Sequence, residues 1–249
     1  MALRRVAPLL LGICCVLVGN AQDPATVESR LRLGNTAVLA ARYDEAIALF
    51  ESLVPDLTDP EAAGDLLLRI GETYRRKGDL ARAVTALQHS SALRPGNEKA
   101  VSTLALVLDA MGKKADAAAK YRELLELNPN DGIALNNLAY ILAENGGGLD
   151  DALKLAQRAM PLLPDLPEVF DTLGWIYLKK NQAAPAIEIF SGLVEKHPSD
   201  ITYHYRLGMA LTQLGDSFAA SAELRAALKL NPPEELAAKI LSLLVALGQ

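Results

Sequence analysis

The chain has 249 residues, of which 51% are hydrophobic and 5% aromatic, so it carries more apolar material than a disordered protein does. Leu and Ala supply most of that material and favour helices over strands, because both lose little on entering a helix. The formal charge is −5, from 25 basic and 30 acidic residues, and this balance argues against nucleic acid as a partner.

The first 21 residues are predicted to be a cleaved signal peptide. Arg4 and Arg5 precede an apolar run over residues 6–18, and the small residues at 19–21 offer a cleavage site before Gln22. The run is shorter than the ~20 residues that span a bilayer. A buried first helix is the alternative. We therefore expect a periplasmic or secreted protein with no stable membrane span, in which residues 22–26 form a short linker.

The two cysteines of the chain, Cys14 and Cys15, both lie in this apolar run. A lipidated cysteine usually follows Gly, Ala or Ser, whereas Ile13 precedes Cys14, so a plain cleaved signal is favoured over a lipoprotein. After cleavage the chain would have no thiol for a disulfide or for metal binding.

Prolines recur along the rest of the chain at a nearly fixed spacing. Each follows a Leu-rich amphipathic stretch, and the intervals are 34, 35, 34 and 34 residues: Pro95, Pro129, Pro164, Pro198 and Pro232. Proline ends a helix and starts a turn, because it cannot continue the backbone hydrogen-bond ladder. Within each period two small residues, such as Gly174 and Ala186, stand 12 positions apart and would let two antiparallel helices approach closely.

This pattern resembles the tetratricopeptide repeat (TPR) family, and the resemblance extends through the chain after the linker. It implies an all-α, right-handed superhelix of six helix-turn-helix repeats: 27–60, 64–97, 98–131, 132–166, 167–200 and 201–234. Residues 61–63 are a short insertion, and Gly146-Gly147-Gly148 widens the turn inside the fourth repeat. Residues 132–230 also resemble exported bacterial TPR proteins that are linked to exopolysaccharide and protein-sorting systems.

Residues 235–249 are predicted to form a last capping helix. One apolar stripe of this helix would cover the sixth repeat: Leu236, Ile240, Leu243 and Leu247. A second set lies off the stripe, where a solvated cap is normally polar: Leu241, Leu244 and Val245. The second set indicates either an ordinary cap with some exposed apolar residues or a contact with a partner or a second copy.

No set of residues indicates catalysis. The three histidines fall at unrelated positions and lack the i, i+4 spacing of a metal-binding pair: His89, His197 and His204. The triple glycine lacks the Lys-Ser/Thr that a phosphate-binding loop needs. We therefore expect no enzymatic activity, no metal and no cofactor.

In TPR superhelices the first helix of each repeat lines a concave groove, and its second, fifth, sixth, ninth, twelfth and thirteenth residues point inward. In this chain the rule defines an N-terminal surface made of Arg32, Asn35, Arg69, Glu72, Arg75 and Arg76. Guanidinium groups suit carboxylates, so an acidic peptide, a chain terminus or an anionic polysaccharide is the expected ligand. The alternative is a solvated face on which Glu72 pairs locally with Arg75 and Arg76.

The same rule defines a C-terminal surface made of Asn136, Asn137, Tyr140, Asp171, Trp175, Tyr205, Arg206 and Met209. Aromatic faces beside amides and a carboxylate suit an extended peptide or a sugar ring. The alternative is that Trp175 packs between helices. We predict a non-enzymatic scaffold that binds a protein or peptide in its groove and supports assembly of a cell-envelope complex. A structural homo-oligomer formed through the last helix and a glycan-binding module are the alternatives.

Overall fold

The computed structural model describes residues 26–146 and 148–248, and within these ranges the chain is helical and has no β-strand. The predicted signal peptide, with Cys14 and Cys15, lies outside the described residues. Besides a short 3₁₀ helix at Val54–Asp56, there are thirteen described α-helices: α1 Val27–Leu39, α2 Tyr43–Glu51, α3 Pro60–Lys77, α4 Leu80–Leu93, α5 Glu98–Ala110, α6 Lys114–Leu127, α7 Gly132–Glu144, α8 Leu149–Ala159, α9 Pro167–Lys179, α10 Ala183–Lys196, α11 Ile201–Leu214, α12 Ser217–Lys229 and α13 Glu234–Ala246.

Consecutive helices pack as pairs, from α1 with α2 to α11 with α12, and each pair packs on the next. The result is a right-handed superhelix of six helix-turn-helix repeats with α13 packed on α12, which confirms the predicted fold class. The boundaries of the repeats stay a prediction. The residues predicted as an insertion, 61–63, belong to the first turn of α3. None of the described helices is both long and apolar enough to cross a membrane.

The periodic prolines mark the turns between repeats, and after Pro95, Pro129 and Pro198 a capping side chain follows two residues later. After Pro95, the Asn97 side chain accepts hydrogen bonds from the backbone N–H groups of Lys99 and Ala100, at 3.1 and 3.2 Å. Asp131 and Asp200 cap α7 and α11 in the same way. Such a cap contributes about 1 kcal/mol because it satisfies backbone donors that have no partner within the helix. At α5, α7 and α11, the proline and the cap together fix where the first helix begins.

Small residues let the two helices of a repeat approach closely, as the sequence predicts. A Cβ atom on Gly71 would lie 2.6 Å from the Leu87 side chain. The large residues that fill the space between helices are fully buried, among them Phe50, Leu87, Tyr121, Phe190 and Leu224. The buried apolar residues of the described part form five clusters that follow the chain, because each repeat packs mainly on its neighbours.

Candidate functional site

The N-terminal surface is assembled from the first helices of the first two repeats. Arg32 and Asn35 lie on α1, and the other members lie on α3. Arg69 donates a hydrogen bond from Nη1 to Oδ1 of Asn35 at 3.2 Å and so joins the two helices. The four arginines of this surface are all exposed. The structure therefore brings the predicted residues together on one wall.

Glu72 does not pair with Arg75 or Arg76, so the local pairing that the alternative interpretation requires does not form. Its Oε1 atom lies 3.2 Å from Nζ of Lys99, on the first turn of α5. Glu72 stands at the ninth position of the second repeat and Lys99 at the second position of the third, so the ion pair joins two successive first helices. The Lys99 side chain is largely exposed, so the ion pair contributes little to stability.

Three guanidinium groups remain without an acidic partner. Among the described residues, no carboxylate lies within ion-pairing distance of Arg69, Arg75 or Arg76. Other cations nearby are neutralised, since Arg94 pairs with Asp65 and Lys99 with Glu72. The N-terminal surface thus carries uncompensated positive charge in a chain whose formal charge is −5.

Two clefts flank Arg69 and give these guanidinium groups room for a ligand. The larger, of about 710 Å³, lies between α3 and the turn that leads into α5: Asp65, Leu68, Arg69, Glu72, Arg94, Pro95, Gly96, Asn97, Glu98 and Lys99. The smaller, of about 230 Å³, lies between α1 and α3: Asn35, Val38, Leu39, Phe50, Arg69, Glu72, Thr73 and Arg76. An extended segment that crossed from one cleft to the other would pass Arg69.

The C-terminal surface is built around an ion pair between α9 and α11. Nη1 of Arg206 and Oδ1 of Asp171 lie 2.5 Å apart, although they are not aligned as a hydrogen bond, and both side chains are mostly buried. Burial raises the pKa of the Asp171 carboxyl above its ordinary value, and the adjacent Arg206 opposes that shift. The pair therefore holds two successive first helices together.

Trp175 stands at the centre of the same surface and is already engaged by charged side chains. Its Nε1 donates a hydrogen bond to Oε1 of Glu144, on α7, at 2.6 Å. Nζ of Lys179 and Cζ of Arg206 lie 4.6 and 4.7 Å from the ring centroid. The half-buried ring also packs against the apolar clusters of the fifth repeat. Trp175 is thus partly exposed and also packed between helices, and a ligand must compete with these cations for the ring.

The two asparagines are turned toward the protein interior. Nδ2 of Asn137 donates to the Tyr121 hydroxyl at 3.0 Å, and Nδ2 of Asn136 donates to Oδ1 of Asn137 at 3.3 Å. Asn136 is only 7% exposed, and its Oδ1 has no hydrogen-bond partner among the described residues. Tyr121 is fully buried, and that burial raises its pKa to about 12. The amide groups are thus engaged in contacts inside the protein. The role of the two asparagines in binding stays a prediction.

The remaining aromatic residues do not form a continuous platform. Tyr140 is half-buried, and within the described ranges its ring does not stack on that of Trp175. Tyr205 packs against the cluster shared by α12 and α13. Met209 packs against the same apolar cluster as Trp175, which α9, α10 and α11 share.

Sequence reasoning missed two residues that shape the C-terminal surface, Glu144 and Lys179. Both stand at the thirteenth position of a first helix, which the positional rule includes, so a signal was present. Nζ of Lys179 lies 3.8 Å from Oε1 of Glu144, and both side chains contact Trp175. These contacts link α7 to α9. Lys99, the second residue of the third repeat, contacts the N-terminal surface through Glu72 and was also missed.

The fold defines a helical repeat protein in which helix pairs pack on one another in chain order. A family model described as tetratricopeptide repeat matches residues 31–98, 102–167 and 172–235, which is most of the chain. The chain therefore belongs to the tetratricopeptide repeat family. Proteins of this family serve as scaffolds that bind other proteins or peptides, and they are generally not enzymes.

Similar sequences come from several bacterial proteins. A TPR repeat-containing protein of Pseudomonas aeruginosa is 24% identical over 170 residues, which is 68% of this chain and 28% of that protein. Cellulose synthase operon protein C of Pseudomonas fluorescens is 30% identical over 68% of this chain and 14% of its own length. The chain thus spans less than a third of either relative. Type IV pilus assembly protein PilF of Pseudomonas aeruginosa is 25% identical, over 64% of this chain and 67% of PilF.

Solved structures share the fold at low sequence identity. A tetratricopeptide repeat protein from Parabacteroides merdae superposes with a TM-score of 0.68 at 13% identity, over 88% of this chain and 98% of that one. YrrB, a TPR protein with an unusual peptide-binding site, gives a TM-score of 0.64 at 17% identity, over 76% and 96% of the two chains. These likenesses concern the fold alone.

Proposed function

We propose that this protein is a non-enzymatic scaffold that holds a protein or peptide partner in its concave groove and supports assembly of a cell-envelope complex. The observation that carries the proposal is the set of three exposed guanidinium groups, without acidic partners among the described residues, beside two clefts: Arg69, Arg75 and Arg76. A guanidinium binds a carboxylate through two parallel hydrogen bonds, so an acidic segment of the partner fits this wall.

The N-terminal surface is the better candidate for first contact with the partner. At the C-terminal surface a ligand must displace existing contacts, because Asp171 pairs with Arg206, and Trp175 contacts Arg206 and Glu144. At the N-terminal surface a ligand gains ion pairs without breaking any that involve the three arginines. The wall is also preformed by helix packing, so little conformational entropy is lost on binding.

A protein or peptide is favoured over a glycan. Stacking on a sugar needs an open aromatic face, and the Trp175 ring has two cations close to it. An anionic polysaccharide could still use the arginines, and the binding experiment below distinguishes it from a protein.

The proposed setting is the cell envelope, in the periplasm or outside the cell. Support comes from the signal-peptide pattern of residues 1–21, which lie outside the described part of the chain. The names of two relatives, a cellulose synthase operon protein and a type IV pilus assembly protein, agree with this setting.

A crosslinking pull-down from an envelope fraction tests the proposal. The test variant is Arg69→Gln, Arg75→Gln and Arg76→Gln combined. The matched control removes three exposed cations that lie off the first helices: Lys113→Gln, Arg122→Gln and Lys229→Gln. We expect the test variant to lose a protease-sensitive partner that the wild type and the control retain, with all three proteins equally helical by circular dichroism.

Two results would contradict the proposal. An unchanged partner set in the test variant would show that the arginines do not bind it. Loss of a partner that resists protease but not glycosidase treatment would instead assign the wall to a polysaccharide.

A further inference from the structure

The last helix, α13, keeps the register of the first helices of the repeats. A shift of 34 residues places Ala238, Leu241, Ser242 and Val245 on positions that α11 fills with His204, Leu207, Gly208 and Leu211. The opposite side of α13 is buried against α12 through Ile240 and Leu244, as the matching side of a first helix should be. By its register, α13 is thus the first helix of a further repeat.

In α11 the second helix of the same repeat, α12, lies against this face at His204 and Gly208, and Leu207 is buried in an apolar cluster that α11 shares with α10. Leu207 is 5% exposed, and a Cβ on Gly208 would lie 2.7 Å from the Leu224 side chain. Nδ1 of His204 lies 2.7 Å from Oε2 of Glu223. The face is therefore one that this fold normally seals with an antiparallel helix.

In α13 the same face is open. Leu241 is 52% exposed and Val245 is 72% exposed, and Ala238 and Ser242 are exposed as well. Within the described residues, no helix follows α13 to cover them. A helix face of a repeat protein that meets water is normally polar. An apolar face at this position therefore points to a helical partner.

We propose that the open face of α13 packs antiparallel against the same face of a second copy of this chain, about a two-fold axis. Large and small residues alternate along the face, so it complements itself. With the axis between residues 241 and 242, Leu241 lies over Ser242 of the partner subunit, and Val245 lies over Ala238 of the partner subunit. Each large side chain then meets a small one, as in the helix pairs of the repeats.

The charges of α13 favour the antiparallel arrangement and a second copy. The acidic residues Glu234 and Glu235 lie in the first turn, and Lys239 pairs with Glu235 of its own helix at 2.6 Å. Residues 240–248 carry no charge, so this half of the face has nothing with which to select a charged foreign helix. A parallel pair would bring the two acidic first turns together, whereas an antiparallel pair places them at opposite ends.

The contact leaves the groove free and goes beyond the proposed function. The second helices pack on the side of the first helices away from the concave wall, so two copies joined here keep both grooves open. One helix pair falls below the ~1,200 Å² that typical stable interfaces bury, so the dimer is expected to be weak and concentration-dependent. Two grooves in one particle would strengthen binding to a partner with repeated sites.

Sedimentation equilibrium on the full chain, from ~1 μM to ~1 mM, tests the proposal over the range of weak affinities. We expect the wild type to pass from monomer to dimer, and the double variant Leu241→Lys with Val245→Lys to weaken the dimer at least tenfold. The matched control is Phe218→Lys, which changes an apolar residue that is 89% exposed on α12. The proposal is overturned if the wild type stays monomeric, or if the control weakens the dimer as much as the double variant does.

Cysteine crosslinking tests the pairing itself. In a background with Cys14→Ser and Cys15→Ser, the single variants Ala238→Cys and Val245→Cys should form disulfides faster when mixed than when either is alone. In the antiparallel pair, a residue and its own copy in the partner subunit are separated by seven positions, which is about 10 Å along the helix. Equal rates in all three samples would refute the pairing. A monomeric chain that instead binds a peptide with the sequence of residues 216–231 would show that the face takes a foreign helix, which also overturns self-association.

Discussion

Substitution by alanine should raise the free energy of unfolding at one glycine of the fifth repeat and lower it at another. A Cβ on Gly192, in α10, would have no heavy atom within 4 Å, so alanine fits without strain. Alanine in a helix interior is about 1 kcal/mol better than glycine, because it restricts the unfolded chain. We therefore expect Gly192→Ala to stabilise the protein by about 0.5–1 kcal/mol.

Gly174, in α9, stands where the two helices of the repeat touch. A Cβ there would lie 2.8 Å from Phe190 and 3.1 Å from Ile189. Phe190 is fully buried, so its ring has to press on neighbouring side chains if it moves. Overpacking of this kind costs about 1–3 kcal/mol, which exceeds the gain of about 1 kcal/mol from the better helix former. We expect Gly174→Ala to destabilise the protein by up to about 2 kcal/mol.

Urea unfolding followed by far-ultraviolet circular dichroism measures both effects. With m of about 1–3 kcal/mol/M, a change of about 1 kcal/mol moves the midpoint by roughly 0.3–1 M. Repeats unfold in neighbour-coupled units, so midpoints are compared only between variants that share the wild-type m. A Gly174→Ala protein as stable as the wild type would refute the close approach of α9 and α10. A destabilised Gly192→Ala would refute the open space at that position.

Three other results are expected. Burial raises the pKa values of Tyr121 and Tyr203 to about 12, against 10.0 for an ordinary tyrosine. The unfolded chain therefore loses these protons first, and the free energy of unfolding should fall as pH rises from 10 to 12; a flat profile in alkaline urea titrations would contradict this. Arg206→Met should cost up to about 3 kcal/mol because it leaves the Asp171 carboxylate buried without its cation, and adding Asp171→Leu should recover much of that loss in a double-mutant cycle. Partner binding through the N-terminal arginines should weaken with added salt, and an affinity that is independent of salt would oppose an ionic contact there.

The fold could be predicted from the sequence because a fixed period determines it. The spacing of the prolines locates each turn, and small residues such as Gly174 and Ala186 mark where two helices approach. Both are local features that recur every 34 residues, so each repeat supports the interpretation of the next. The face of each helix that lines the groove follows from the same period.

The partners of the groove residues could not be predicted in this way. Glu72 pairs with Lys99, Asn137 bonds Tyr121, and Trp175 bonds Glu144, and each partner comes from another repeat. Which side chains come within reach depends on the rotation from one repeat to the next, and the period does not specify that rotation. The alternative interpretation, in which Glu72 pairs within its own helix, does not hold for this reason.

The two surfaces differ in what a ligand would have to displace, and this difference ranks the mutations that affect binding. At the C-terminal surface, a ligand that reached Trp175 would break contacts with Glu144, Lys179 or Arg206 and gain similar ones, so the net gain is small. At the N-terminal surface, a carboxylate meets guanidinium groups that pair with no acid among the described residues. The arginine variant should therefore reduce partner capture more than Tyr140→Ala with Trp175→Ala. The opposite order, in proteins of equal helicity and stability, would move the binding site to the C-terminal surface.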